Sequence, residues 1–113
     1  MSEVQTWSVT AASNNSAPPD GAPENMARSA VNNVMRENMA TIKRWQADTN
    51  GSTTSGGTAN AQTIAANRTT TSAYAGESFT FKAGATNTGA TTINITPSGG
   101  SARGVVAIQK NGS

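Results

Sequence analysis

A chain of 113 residues has room for one small domain, or for one domain with an arm. Asn, Thr, Ser and Gly supply 52 of those residues, charged side chains only 12%, and there is neither Cys nor His; this excludes a disulfide scaffold, thiolate nucleophiles, imidazole base catalysis, histidine pH switches and zinc sites built on Cys or His. The net charge of +2 comes from eight basic and six acidic residues spread along the chain, with aromatics at 4%, which argues against a nucleic-acid interface of clustered cations and stacking rings.

Residues 1–22 read as an extended arm. Val4, Trp7 and Val9 precede a Ser/Asn-rich stretch and the turn Ala17-Pro18-Pro19-Asp20-Gly21, which no helix can traverse. An apolar trio in so polar a segment points to docking, either back on its own domain or on a partner. This N-terminus lacks the basic and apolar regions of a signal peptide, and no apolar run approaches the roughly 18 residues that span a bilayer. The chain is expected to be soluble, free of membrane and made in a cytoplasm.

Residues 23–48 carry the one convincing helix. Pro23 suits a first turn, Ser29 an N-cap, and Asn50-Gly51 a stop. Val31, Met35, Asn38, Ile42 and Trp45 recur in alternating steps of four and three, a heptad seam that Val34 and Met39 widen. Such a stripe packs on its own chain, as most amphipathic helices do, or on other copies of itself. Asn38 within it favours the second arrangement, because symmetry-related Asn side chains can bond one another and fix the register.

Residues 49–62 read as a Gly/Ser/Thr linker without a packed core. Residues 63–113 then turn to β. Phe79-Thr80-Phe81 and Ile93-Asn94-Ile95 alternate with period two, Gly104–Ile108 reads as a buried strand, and Gly84, Asn87-Thr88-Gly89 and Pro97–Gly100 read as turns. A small antiparallel β domain is expected. Its large apolar side chains are Ile64, Tyr74, Phe79, Phe81, Ile93, Ile95, Val105, Val106 and Ile108, few for its length, which favours an oligomer.

Chemistry without His or Cys would have to rest on carboxylates: Glu3, Asp20, Glu24, Glu37, Asp48 and Glu77. Glycosidases hold two carboxyl groups across an aromatic-lined groove, and no two of these sit in such a setting. Glu24 complements a helix start, Glu37 can pair with basic neighbours across the helix surface, and Glu77 stands alone beside Gly76. Gly51–Gly57 lacks the Lys-Ser/Thr ending of a phosphate loop, and Asp48-Thr49-Asn50 lacks the alternating acids of a calcium loop. No enzyme activity, cofactor or metal is expected.

In order, Trp7, Ala11-Ala12-Ser13-Asn14, Asp20-Gly21-Ala22-Pro23-Glu24-Asn25-Met26, Ser29, Val31-Asn32-Asn33, Arg36-Glu37, Met39, Ile42-Lys43-Arg44-Trp45, Asp48 and Gly51 form a string, continued by Gly57–Ala61, Ala75-Gly76, Phe79–Ala83, Asn87–Ala90 and Thr92–Ile95. That string resembles the N-terminal, virion-attachment region of tail fibre and tailspike proteins of tailed bacteriophages, over nearly the whole chain. The resemblance implies a homotrimeric virion protein, made in the host bacterial cytoplasm, whose N-terminal part binds tail, baseplate or adaptor proteins. Related fibres continue into further β repeats and a receptor-binding or depolymerase domain, so a fragment or a short adaptor is expected here. The fold so implied is α+β and fibrous: the extended arm docking through Val4, Trp7 and Val9, one long helix forming a trimeric stalk through Val31, Met35, Asn38, Ile42 and Trp45, and the small antiparallel β domain. The alternatives are a capsid-decorating head fibre or cement protein, and a glycan-binding module stacking sugars on Trp7, Trp45 and Tyr74.

Overall fold

The computed structural model describes residues 2–109. Two short 3-10 helices, Val4–Thr6 and Ala11–Ser13, precede one long helix, α1 (Arg28–Thr49), and six short strands: β1 (Thr53–Thr54), β2 (Gly56–Thr58), β3 (Ala61–Ala65), β4 (Phe81–Lys82), β5 (Thr92–Thr96) and β6 (Val105–Ala107). The fold is α+β, and the chain divides into two compact units, residues 1–45 and 46–113.

In the first unit, residues 2–22 are folded rather than extended. Their polar side chains close the backbone into local turns. The Asn14 carboxamide accepts from the Ser8 amide at 2.8 Å and donates to the Ser8 carbonyl at 3.0 Å, while the Asn14 carbonyl receives the Ala22 amide at 2.9 Å. One asparagine thus gathers residues 8, 14 and 22. Gly21 lies buried in this knot, where a Cβ would stand 2.5 Å from the Ser16 nitrogen. The helix starts at Arg28, later than residue 23, because Asn25 takes a left-handed φ of 60° that interrupts any helical run from Pro23. Ser29 therefore lies inside α1 and not at its cap. The stop is the expected one: Gly51, with φ of 78°, follows the last turn as a left-handed terminating residue.

The second unit departs further from expectation. The stretch 49–62 is no linker, since it contains β1, β2 and the start of β3. Small polar residues can build strands here because their side chains pair with each other. The buried Ser55 hydroxyl donates to the buried Gln62 Oε1 at 2.7 Å and accepts the Gly84 amide at 2.9 Å. The sheets are mixed and not antiparallel. β2, β3, β5 and β6 form one sheet in that order, antiparallel at β2–β3 and β5–β6 but parallel at β3–β5, and β1 pairs parallel with β4. The long connection 66–91 supplies the crossover that a parallel pair requires. Of Phe79-Thr80-Phe81 only Phe81 joins a strand, for the Thr80 amide is drawn to the Asp48 carbonyl. Gly104–Ile108 is not a buried strand either; β6 is an edge strand, exposed along its length. The final four residues of the expected β region lie outside the described residues.

Among the described residues the buried apolar side chains are Val34, Ile64 and Ala66, while Ser2, Glu3, Thr41, Asp48, Ser55, Gln62, Arg68 and Thr91 are buried polar ones. Polar networks therefore carry much of the interior, and each must be satisfied to hold.

Candidate assembly site

Two stripes run side by side along α1. Val34, Glu37, Thr41 and Arg44 form the first, and the N-terminal segment covers it. Val34 and Thr41 are buried, and the Thr41 hydroxyl lies 3.1 Å from the Ser2 carbonyl oxygen. The Arg44 guanidinium donates to the Ser2 carbonyl at 2.8 Å, to Glu3 Oε1 at 3.1 Å and to Glu37 Oε1 at 2.9 Å, so one cation ties the chain start to the helix. The expected pairing of Glu37 across the helix surface is thus with Arg44.

The second stripe lies roughly 100° further round the helix, at 100° per residue. It holds Val31, Met35, Asn38, Ile42 and Trp45, flanked by Met39. Its apolar members remain 44–70% exposed within their own chain. The heptad seam of the sequence is therefore a distinct face from the one the chain covers for itself. Val34, which widened the seam on paper, belongs to the covered face. Asn38 is exposed and also lines a cavity of about 130 Å³ with Trp7, Asn14, Asp20, Gly21, Ala22 and Val34.

The apolar trio of the N-terminal segment separates. Val4 and Trp7 are half-buried, and the indole Nε1 reaches Ser2 Oγ at 3.3 Å. Val9 alone is fully exposed, on a loop braced by Asn14 and by the Thr10 amide bonded to Ser8 Oγ at 3.0 Å.

In the second unit two arginines, read from the sequence only as scattered charge, organise the irregular segment 66–80. Asp48 Oδ2 accepts from Arg68 Nε at 2.9 Å and from its amide at 3.1 Å, and Oδ1 accepts from the Asn67 amide and carboxamide at 2.8 and 2.9 Å. Burial alone would push the Asp48 carboxyl up, but these four donors outweigh it and hold the group below its ordinary value. Arg68 also donates to the Tyr74 hydroxyl at 2.8 Å and to the Ser78 carbonyl at 3.0 Å, with its guanidinium carbon 4.6 Å from the centre of the Phe79 ring. Glu77 does not stand alone: Arg103 grips it with two bonds of 2.6 and 3.0 Å, donates also to the Thr70 carbonyl, and lies 5.7 Å from the same ring.

Glu3, Glu37, Asp48 and Glu77 thus each face an arginine. Among the described residues no group of three or more acids, His or Cys could hold a metal, and no helix is long and apolar enough to cross a membrane. Of the proposed sugar-stacking rings, Tyr74 bonds Arg68, Trp7 bonds Ser2 within its own segment, and Trp45 is 44% exposed. Comparison with protein families, curated proteins and solved structures finds no match to this chain.

Proposed function

We propose that this chain is a non-enzymatic structural subunit of a tailed-phage virion, the attachment part of a tail fibre or tailspike, and that it self-associates as a parallel homotrimer along α1. One observation carries the self-association: Val31, Met35, Ile42 and Trp45, with Met39 at their flank, stay 44–70% exposed on a face with heptad spacing, beside a face already covered. At about 1.5–3 kcal/mol per fully buried apolar side chain, and with these roughly half exposed, some 4–7 kcal/mol per chain awaits a partner. Three helices around one axis would use that stripe in layers, with Asn38 side chains bonding around the axis. The number three and the virion context rest on the fibre resemblance. Parallel order follows if all three N-terminal units address one docking surface on tail, baseplate or adaptor proteins.

Light scattering at micromolar concentration tests the assembly. A mass of about 35 kDa is expected for three chains of 11.5 kDa. Met35→Arg places three like charges near the axis, at several kcal/mol per buried ion, and should give monomers whose circular dichroism is unchanged, because Met35 is 60% exposed within its own chain. A wild-type monomer would overturn the reading. Antibody labelling of particles separates tail from head: label confined to the capsid would favour a head fibre or cement protein.

A further inference from the structure

The sheet of the second unit has a face that is covered at one end only. Gln62 and Ile64 of β3 are buried, and in the parallel register they stand beside Ile93 and Ile95 of β5, on the same face. Across the next pair Val106 of β6 faces Ile93, and Ile108, two residues on, shares its side. Cover fades along this row. β3 is buried, β5 half-buried, Val106 62% and Ile108 45% exposed. Over the open end lies a groove of about 450 Å³, lined by Ile93, Ile95 and Val106, with Arg103 and Glu77 neutralising each other at its edge. β6 adds a free backbone edge beside it.

We infer that a second copy of this chain covers the open end of the sheet face, its β unit closing the groove over Ile93, Ile95 and Val106 and covering Ile108 beside it. The inference rests on the self-association proposed above. Area argues for this occupant. A buried aliphatic side chain removes about 60–120 Å² from water, so four of them offer less than about 500 Å². A free-standing interface takes about 800 Å² from each partner. The patch is too small to recruit a partner from solution but sufficient once another contact has brought the partner near. The last residues of α1, 46–49, belong to the second unit, so bundled helices would hold neighbouring β units at an effective concentration of about millimolar. Among the described residues that line the groove the only charges, Arg103 and Glu77, neutralise each other, which leaves none there to select a foreign partner.

The chain has no cysteine, so Val106→Cys reports on one site alone. In otherwise wild-type protein its thiol should react with a disulfide reagent at least tenfold more slowly than in the Met35→Arg background. Val106→Lys should raise the concentration of half-dissociation at least tenfold, and Ala107→Lys, on the opposite face of the same strand, should not. Equal thiol rates in a protein of trimer mass would overturn this inference and leave the helical reading intact. Slow reaction in both backgrounds would mean that the groove closes within its own chain, which also overturns it. A Val106→Cys protein that is monomeric before any second change would remove the helical reading and this inference together.

Discussion

Asp48 and Arg68 show how a residue pair replaces missing hydrophobic bulk. Both side chains are 1–2% exposed, and between them they fasten the last turn of α1 to Asn67, Tyr74 and Ser78. Removing one partner of a buried pair leaves the other charge without compensation, at about 3–5 kcal/mol. Asp48→Asn should therefore lower the unfolding free energy of the second unit, read from urea unfolding, by that amount at pH 7. The pH dependence has a definite sign. The folded carboxyl sits below its ordinary value of 3.8, so the folded state binds that proton less readily than the unfolded one. Its contribution is complete above about pH 4 to 5 and is lost as pH falls through the lower folded value. Urea unfolding at pH 7 and pH 3 should show a drop in wild type that Asp48→Asn largely abolishes. An equal drop in both proteins would mean that other carboxylates govern the acid limit. Nothing in the sequence around Arg68 marked it as more than surface charge, because the partner that buries it lies twenty residues away.

At the scale of elements, α1 was legible and the sheet was not. A helix announces itself through period, and both the seam and the Gly51 stop stand where the spacing puts them, with only Asn25 shifting the start. Strands announce themselves through bulky alternation, and β3, the most buried strand, reads Ala-Gln-Thr-Ile-Ala. Its inward side chains are Gln62 and Ile64, and Gln62 is acceptable there because Ser55 donates to its oxygen and the carbonyls of Ala59 and Ala85 accept from its nitrogen. Conversely Val105 and Val106 look like core and form an edge. Alternation cannot tell an uncovered apolar strand from a covered one. The N-terminal knot was equally hidden, since Asn14 and Gly21 act through geometry and not through hydrophobicity. Gly21→Ala tests it. The added methyl would meet the Ser16 backbone at 2.5–2.9 Å, and the surroundings would have to move at about 1–3 kcal/mol. Hydrogen exchange should quicken across residues 2–27 and stay unchanged in β3 and β5. Unchanged exchange across residues 2–27 would show that this segment does not depend on the knot.

For the whole molecule, the fibre reading needs a surface that meets the virion, and the three apolar residues of the N-terminal segment are not equivalent for that purpose. Val4 and Trp7 are half-buried in their own unit, whereas Val9 projects from a loop that Asn14 and Ser8 hold in one shape. A preorganised apolar knob loses little entropy on docking, and it would be presented three times by a parallel trimer. Deleting residues 2–20 would be a poor test of docking, for it also strips Thr41 and Arg44 of Ser2 and Glu3 and uncovers the first stripe of α1. Val9→Asp changes the knob and nothing beneath it. The variant should fold, keep the trimer mass and the urea midpoint of wild type, and yet be incorporated into particles at least tenfold less than wild type when the two compete in one infection. Quantitative mass spectrometry of purified virions gives that ratio. Equal incorporation would move the docking surface away from Val9, and the next residues to test would be those left exposed around it, Ala11 and Ala12, which line a groove with Ala22, Pro23 and Glu24.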